Sequence, residues 1–333
     1  NFTFDMIGHF LHFSEDATQK FVMKMIGDIL VEHKRDSAIY YKGKEISYPF
    51  QLNLCELDLQ TRTEFLRDFL DAFVSSQQKD TKVATLYDWS MKHFGRKFTI
   101  DFIEPYNSKL FGVSTMSVFY ESVQKYFPPS DIEKIITGAT LGAKNIGYNS
   151  TFYYPKNNGI QLLADTIAAQ HSDSIYLNSI VEKIDLEKKI VVVNGVEHSY
   201  DSLINTLPLK EFLLLTDNDA YKTIAKHLHH SSLLAINLGL KRKVSSRQWL
   251  YFPEAIYPFY RVGFLSNVLS SAAPVGKSTL CIEIGLNENI VVDEQLKEYY
   301  FQQAVKSLEE LGLIKREDIE TRDVQYSKYA YVV

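Results

Sequence analysis

Apolar residues recur at helical spacing in three parts of the chain. Residues 21–30 follow Ser14, a candidate helix cap, and residues 160–170 show a similar spacing. The longest helical part covers residues 59–130, and its first apolar stripe consists of Phe65, Leu66, Phe69, Leu70 and Phe73. This periodicity predicts amphipathic helices that each bury one face.

Local capping signals divide the helical part into separate helices. Thr85 and Asp88 have the spacing of a capping box, so a second helix is expected to begin there. Gly95 is the expected end of that helix, and Pro105 punctuates the segment that follows. We interpret the aromatic stripe of this part as core.

Strand patterns lie on both sides of the helical part. Residues 38–41 and 45–50 predict a hairpin that turns at Gly43. Thr151–Pro155 is aromatic and extended, and residues 175–185 and 189–193 also have strand character. Asn194-Gly195 supplies a tight turn, and the apolar run 202–208 predicts a short strand covered on both faces.

The last third of the chain predicts one sheet and one helix. Four further strands are expected at 233–240, 248–252, 260–266 and 279–284. Together with the early hairpin they predict a mostly antiparallel sheet. Asp293 then caps a helix that is expected to close at Gly312.

Composition excludes several classes of protein. The 333 residues are 45% hydrophobic and 13% aromatic, which allows a large core and two domains. The formal charge of -5 is spread along the chain, so no basic stripe is available for nucleic acid. No apolar run approaches the length of a membrane span, and no signal-peptide pattern begins the chain, so a cytoplasmic protein is expected.

Two apparent motifs lack the context that their chemistry requires. Gly276-Lys-Ser278 resembles the end of a phosphate-binding loop, but a strand follows it where a helix is needed. His227, His229 and His230 lack the spacing of a zinc site and are expected to form a solvated cluster at a helix end. The chain has no Cys-x-x-Cys motif, and we expect the thiols of Cys55 and Cys281 to be buried.

Several short motifs resemble those of the flavin-containing amine oxidoreductases, and in particular those of the family's mutase-like and protoporphyrinogen oxidase-like branch. They occur in the same order as in the family and cover nearly the whole chain. They begin with the segment 4–9 and the strand 46–51. The remaining motifs are Asp88-Trp89, Glu104-Pro-Tyr-Asn107, the strand, helix and hairpin succession of 148–209, Trp249-Leu-Tyr-Phe-Pro253 and Pro258-Phe-Tyr-Arg261.

The resemblance implies an α/β fold with a Rossmann-like FAD-binding domain, incomplete here, and an α+β substrate part. Residues 1–14 and 149–212 would form the FAD-binding domain, and 36–56 with 230–292 an antiparallel-sheet substrate domain. Residues 57–148 would form the helical subdomain, and 293–333 a helix and strand that return to the FAD domain. No Gly-x-Gly-x-x-Gly occurs, and the family would place that unit before residue 1.

The resemblance also implies FAD as the cofactor, and it assigns candidate residues to it. Gly8 and His9 match a loop that lies against the flavin ring, although Ile7 replaces the first glycine of the pair. Val181 belongs to the strand that would hold the adenine end of FAD, and Tyr331 matches a tyrosine near the flavin. His9 and Tyr331 are therefore the catalytic candidates.

The substrate candidates divide between a base site and an anion site. Tyr48, Phe50 and Gln51 would line a nucleotide pocket, in which aromatic faces stack on a base and an amide pairs with its edge. Arg261 ends an aromatic strand and needs an anionic partner, for which a diphosphate is suited, with Tyr251 facing the same cleft. Tyr153 stands where the family's mutases have their second diphosphate-binding arginine.

Three functions remain open from the sequence. The first is a flavin-dependent enzyme similar to the UDP-sugar mutases, acting in surface polysaccharide metabolism, with a nicotinamide nucleotide as a possible reductant. The second is an FAD-dependent oxidoreductase that takes hydride from an amine or a lipid-like substrate, which Tyr153 in place of arginine favours. The third is a flavin-free binding module, suggested by the absence of the glycine-rich motif from residues 1–333.

Overall fold

A seven-stranded sheet gathers strands from distant parts of the chain in the computed structural model, which describes residues 2–78, 82–127, 131–142 and 150–333. The order across the sheet is β12-β8-β11-β10-β9-β2-β3, and all neighbours are antiparallel except β2 and β9. The strands are β2 (Ser37–Tyr41), β3 (Lys44–Ser47), β8 (Ser231–Leu240), β9 (Trp249–Tyr251), β10 (Arg261–Gly263), β11 (Ser278–Asn287) and β12 (Ile319–Ser327). The prediction of one mostly antiparallel sheet that includes the early hairpin is confirmed.

One face of this sheet is apolar and is covered by a long helix, α10 (Glu294–Glu310). The helix is capped by the side chain of Asp293, which accepts a hydrogen bond from the Leu296 amide at 2.8 Å, as predicted. Phe301, Val305 and Leu308 of the helix join one buried cluster with alternate residues of the strands. Because successive side chains of a strand point to opposite faces, the remaining residues are left to form the other face.

The early hairpin turns at Lys42 and Gly43, which both have positive φ angles, as a tight turn between β2 and β3 requires. Before it lies a helix, α1 (Asp16–Ile26), which begins one residue after Glu15, so Ser14 is not its cap. The helix also ends before Ile29, because residues 30–34 form a strand that the helical spacing concealed. This strand, β1 (Leu30–Lys34), pairs with β4 (Thr151–Pro155).

The helical subdomain packs around an aromatic core, as the stripe of phenylalanines predicted. Thr85 and Asp88 form the predicted capping box, with the Asp88 amide donating to the Thr85 hydroxyl at 3.1 Å. Gly95 interrupts this helix where it was predicted to end, with non-helical backbone angles of φ 81° and ψ 178°, and helical structure resumes after it. The helices are α2 (Leu59–Gln78), α3 (Leu86–Phe98), α4 (Glu104–Phe111), α5 (Tyr120–Val123) and α6 (Ile132–Thr140), with a π-helical turn at Thr99–Ile103.

The segment after residue 155 contains a helix and a small separate sheet. Asn194 and Gly195 make the predicted hairpin turn with φ angles of 49° and 78°. The elements are α7 (Gln161–Gln170), β5 (Val181–Asp185), β6 (Ile190–Val193), β7 (Val196–Ser199), α8 (Leu209–Leu215) and α9 (Asp219–Ala225). The three strands form a sheet in the order β5-β6-β7.

Two strand predictions in this segment are wrong. Residues 202–208 form no strand, and the Ile204 side chain is 89% exposed, because no strand of the described residues pairs with this run. The part 175–178 is also not a strand, and Tyr176 and Leu177 are exposed. Apolar composition alone does not distinguish a strand that is buried on both sides from an exposed segment.

The C-terminal strand has a different position from the one expected. Residues 293–333 were expected to return to the FAD-binding domain, but β12 pairs with β8 at the edge of the seven-stranded sheet. In the part of the chain that the structure describes, no helix is both long and apolar enough to cross a membrane. Among these same residues, no three potential metal ligands lie together.

Candidate functional site

Two rows of side chains cross the second face of the seven-stranded sheet. The strand register places facing residues of neighbouring strands side by side, and residues two apart share a face. The first row is Asp323, Asn237, Cys281, Gly263 and Trp249. The second row is Gln325, Ala235, Glu283, Arg261 and Tyr251.

A small cleft with about 30 Å³ of free space lies over these rows, and we call it the sheet cleft. Its lining combines the N-terminal segment, through Phe4, Ile7 and Gly8, with row residues that include Gly263 and Arg261. The N-terminal segment is fixed to the protein by a hydrogen bond from the Thr3 amide to the Ala272 carbonyl at 2.9 Å. A space of this size holds about one or two water molecules.

Arg261 has an anionic partner within the protein. Its Nε and Nη2 donate to the two carboxylate oxygens of Glu283 at 2.7 and 2.8 Å, and Glu283 is 1% exposed. Burial opposes the charge of Arg261, but the Glu283 carboxylate outweighs it and raises the pKa of the guanidinium. The expectation that Arg261 needs an anion is therefore met first by Glu283, which occupies two of its five N–H groups.

Tyrosine hydroxyls surround this ion pair. Tyr260 donates to Glu283 at 2.7 Å, and the Tyr106 ring packs edge-on against Tyr260 and Tyr251, with centroids 6.0 and 5.5 Å apart. Burial raises the pKa of Tyr106, Tyr260 and Tyr331, so their hydroxyls are neutral at physiological pH. The cluster can donate hydrogen bonds to a ligand without adding negative charge.

Tyr331 lies in this cluster and is not frayed. Its backbone carbonyl accepts a hydrogen bond from the Ser231 amide at 2.8 Å, and Val333 bonds back to the His229 carbonyl at 3.1 Å. Its ring packs edge-on against Phe111, with centroids 6.2 Å apart. The structure thus brings together three of the predicted residues, Arg261, Tyr251 and Tyr331.

A second arginine adjoins the cluster, and the sequence analysis did not identify it. The Arg35 guanidinium lies 3.5 Å from the centroid of the Tyr48 ring, and its Nη2 donates to the Tyr251 hydroxyl at 2.6 Å. Arg35 precedes β2, and the parallel pairing of β2 with β9 carries it to Tyr251. That pairing is long-range, so no local sequence signal could have indicated it.

A buried lysine organises the turn between β9 and β10. Lys109 of α4 donates from Nζ to the carbonyl oxygens of Phe252, Glu254 at 2.9 Å and Phe259 at 2.8 Å, and a longer bond of 3.3 Å reaches Tyr257. Burial lowers the pKa of Lys109 to about 7, while the nearby Glu254 carboxylate favours its charged form. The turn that it holds joins Tyr251 to Arg261, so Lys109 fixes the spacing of two site residues.

The histidine cluster is less solvated than predicted. His229 and His230 both lie against the Glu288 carboxylate, at 2.5 and 3.3 Å, and Lys210 pairs with the same carboxylate at 2.7 Å. The side chain of His230 is only 10% exposed. These groups form an ion-pair network away from the sheet cleft.

Other predicted site residues lie elsewhere. Phe50 is fully buried between Phe65 and Phe102 in the helical subdomain, so neither ring face is open to a base. Gln51 follows it in a 3-10 turn and is partly exposed, because the strand that was expected to carry both ends at Ser47. Of the predicted base-binding residues, Tyr48 alone contacts the cluster.

The remaining candidates divide around the sheet cleft. Gly8 lines it, whereas His9 is exposed and its Nδ1 lies 3.1 Å from the Ile7 carbonyl. Tyr153 packs against Phe13, whereas the adjacent residue Phe152 packs against Trp249. Because successive side chains of a strand point to opposite faces, Tyr153 points away from Arg261. Val181 begins β5 in the small sheet and is not part of the lining.

Comparison with known proteins gives one family model that spans the chain. The model described as flavin-containing amine oxidoreductase matches residues 1–332. Among solved structures, a reduced UDP-galactopyranose mutase is similar with a TM-score of 0.87 and 26% identity. The match covers 99% of this chain and 73% of that chain.

More distant structures share the fold. A putative protoporphyrinogen oxidase from Exiguobacterium sp. 255-15 has a TM-score of 0.63 at 15% identity, over 96% of this chain and 77% of that chain. A putrescine oxidase, in a redesigned form, has a TM-score of 0.62 at 12% identity, over 98% and 76%.

Proposed function

The chain belongs to the flavin-containing amine oxidoreductase family, and from this premise we propose that it rearranges a nucleotide-sugar, as a UDP-galactopyranose mutase does. It is a flavin-dependent enzyme, and FAD is the cofactor that its family implies. The proposal adds a substrate class, a diphosphate-linked sugar. A cytoplasmic location, where nucleotide-sugars and nicotinamide reductants are available, is part of the same proposal.

The sheet cleft, with about 30 Å³ of free space, is too small to hold the flavin ring of FAD by itself. An ideal Cβ on Gly263 would have no neighbour closer than 4.0 Å, so a small free space lies over the centre of the first row. Phe4 and Ile7 supply apolar walls above it. When bound, FAD supplies the electron-rich reduced ring that the family's chemistry uses. The chain's own residues then hold the substrate against that ring and exclude water.

The observation that carries the nucleotide-sugar proposal is the pair of arginines on either side of Tyr251. Arg261 is its partner in the strand register, and Arg35 donates to its hydroxyl. Two guanidinium groups at one edge of an aromatic cluster suit the two phosphates of a diphosphate, which bind arginine through paired hydrogen bonds. Arg35 therefore takes the place of the second cation that the sequence analysis had sought at Tyr153.

In this arrangement each group has a distinct role. Arg35 and Arg261 hold the diphosphate, and Glu283 keeps Arg261 in a fixed orientation. Tyr48 and Tyr251 supply aromatic faces, with ring centroids 5.8 Å apart. The neutral hydroxyls of Tyr106 and Tyr331 can hydrogen-bond sugar oxygens.

A second function is favoured by the Glu283 carboxylate. Because it neutralises Arg261, the floor near the ion pair carries little net charge, and the remaining surface is aromatic. Such a surface suits an amine or a lipid-like substrate that gives hydride to FAD. The flavin-free module is not favoured, since the family uses a flavin.

The test compares the two functions on the flavin-loaded protein. UDP-galactopyranose is added to the oxidised and to the dithionite-reduced enzyme, and the products are separated by chromatography. We expect an isomer of unchanged mass from the reduced enzyme alone. No isomer and no UDP-sugar binding, together with anaerobic bleaching of the flavin by an amine or a lipid, would establish the second function instead.

A further inference from the structure

An open groove runs between α2 and α6 in the helical subdomain, and we call it the α2 groove. It has about 730 Å³ of free space, and its lining includes Leu59, Leu66 and Leu70 of α2 and Ala139 of α6. Arg62 donates from Nη1 to the Ala139 carbonyl at 3.2 Å, which fixes the two helices to each other. The α2 groove shares no lining residue with the sheet cleft, so it is a separate surface.

One apolar stripe of α2 faces outward along this groove. Leu59 is 70% exposed and Val74 is 55% exposed, and Leu66 and Leu70 between them are only partly buried. These residues recur at intervals of seven, four and four, which places them on one side of the helix. A different side of α2, which contains Phe65, is packed in the aromatic core. The helix therefore has a second apolar side that the described part of the chain leaves uncovered.

Two opposite charges border the outward stripe. Arg67 and Asp71 are exposed, lie one helical turn apart and both line the α2 groove. Neither side chain has an ion-pair or hydrogen-bond partner among the described residues. On α10, by contrast, Lys306 and Glu310 have the same spacing and charge order and pair with each other at 3.8 Å. Arg67 and Asp71 can thus pair with groups of another molecule.

This pattern is complementary to a second copy of itself. In a two-fold symmetric contact, each residue of one copy meets a partner residue of the other, and the reverse contact also forms. For two antiparallel α2 helices, an axis midway between Arg67 and Asp71 sets each arginine beside the aspartate of the other copy. The same axis brings the two Leu70 side chains together and sets Leu66 of each copy near Val74 of the other.

We propose that the α2 groove is the surface at which two copies of this chain associate, with their α2 helices antiparallel about a two-fold axis. A partner of a single charge sign would meet one like charge in Arg67 or Asp71, whereas a second copy neutralises both. The 20 residues of α2 make a contact about 30 Å long. One helix pair buries less than the roughly 1,600 Å² of a standard interface, so we expect a dimer that dissociates on dilution.

The experiment measures the mass of the full protein by sedimentation over a range of protein concentrations. The variants Arg67→Glu and Asp71→Arg each place like charges opposite one another twice in a dimer. Each should therefore weaken association about tenfold or more. Because both side chains are exposed, thermal unfolding of either variant should match that of the wild type.

The decisive measurement uses a mixture of these two variants. In a mixed dimer, the introduced glutamate of one protein faces the introduced arginine of the other, and the unchanged Asp71 and Arg67 also face each other. The mixture should therefore dimerise nearly as well as the wild type, and so should the double variant Arg67→Glu/Asp71→Arg. Misfolded proteins could not restore each other in this way.

Matched controls come from the charged pair on α10. Lys306→Glu and Glu310→Arg reverse charges of the same spacing outside the α2 groove, and both should leave the dimer unchanged. A wild-type protein that stays monomeric at every concentration would overturn the proposal and assign the groove to a different partner. A dimer that every variant forms equally well would also overturn it, because association would then use another surface. Mass is measured without flavin or sugar turnover, so the result is independent of the proposed function.

Discussion

The two faces of the seven-stranded sheet are built from alternating residues of the same strands, but they bury different chemistry. Ile236 and Asn237 are neighbours in β8, and both are almost completely buried. Ile236 packs under α10 with apolar side chains, whereas Asn237 lies in a row with a thiol, a glycine and a tryptophan. Burial alone therefore does not distinguish a core from a site, and the partners of the buried atoms do.

The contrast has an energetic meaning. The α10 face gains stability from apolar burial, and its buried Ser232 and Ser278 hydroxyls donate to backbone carbonyls within the protein. The cleft face contains a buried ion pair and two polar atoms, Oδ1 of Asn237 and Nε1 of Trp249, that have no hydrogen-bond partner among the described residues. Such groups stabilise a fold less than apolar groups of the same size. We infer that the cleft face is kept for ligand binding, and the following changes test that inference.

The largest effect is expected from breaking the ion pair on the cleft face. Glu283→Ala leaves the Arg261 charge buried without a partner and should lower the free energy of unfolding by about 4 kcal/mol. Chemical denaturation measures this loss. The double variant Arg261→Met/Glu283→Leu should recover most of the stability but not UDP-sugar binding, and failure to recover stability would contradict the comparison.

A change on the α10 face should affect stability alone. Ile236→Ala creates a cavity in the apolar cluster and should lower the free energy of unfolding by about 3 kcal/mol. Under conditions in which the variant is folded, its flavin affinity should equal that of the wild type. A large loss of flavin affinity in the folded variant would show that the two faces are not independent.

Much of the α10 face could be predicted from the sequence, because its signals are local. The strands of the last third and the Asp293 cap depend on neighbouring residues, and the structure confirms them. The same holds for the hairpin turn at Asn194-Gly195 in the small sheet. The helix predicted from the spacing of residues 21–30 is wrong only at its C-terminal end, where β1 begins in place of the last helical turn. That strand forms by pairing with β4, more than a hundred residues away.

The cleft face could be predicted only in part, because its contacts are between distant segments. Arg261, Tyr251 and Tyr331 were identified by type and motif, but the Glu283 partner follows from strand register. Arg35 depends on the parallel pairing of β2 with β9. Phe50 was assigned to a base site because an aromatic residue near a sheet edge has the same local pattern whether it is core or ligand contact.

A smaller effect is expected from the lysine that holds the β9–β10 turn. Lys109→Met removes the ammonium from four carbonyl oxygens and should lower the free energy of unfolding by about 2 kcal/mol. UDP-sugar affinity should fall as well, since the turn sets the spacing of Tyr251 and Arg261. Lys306→Met, at a side chain 69% exposed on α10, is the control and should change neither quantity measurably. If the Lys109→Met and Lys306→Met variants had the same stability and the same UDP-sugar affinity, the proposed role of Lys109 would be wrong.

The most direct test of the cleft face as the ligand site is the UDP-sugar affinity of an Arg35→Met variant of the flavin-loaded protein. Methionine keeps the unbranched stem of the arginine, so the variant should fold with nearly wild-type thermal stability. The hydrogen bond to the Tyr251 hydroxyl and one of the two cations proposed for the diphosphate are lost, and UDP-sugar affinity should therefore fall about tenfold. A folded Arg35→Met protein with the UDP-sugar affinity of the wild type would contradict the account.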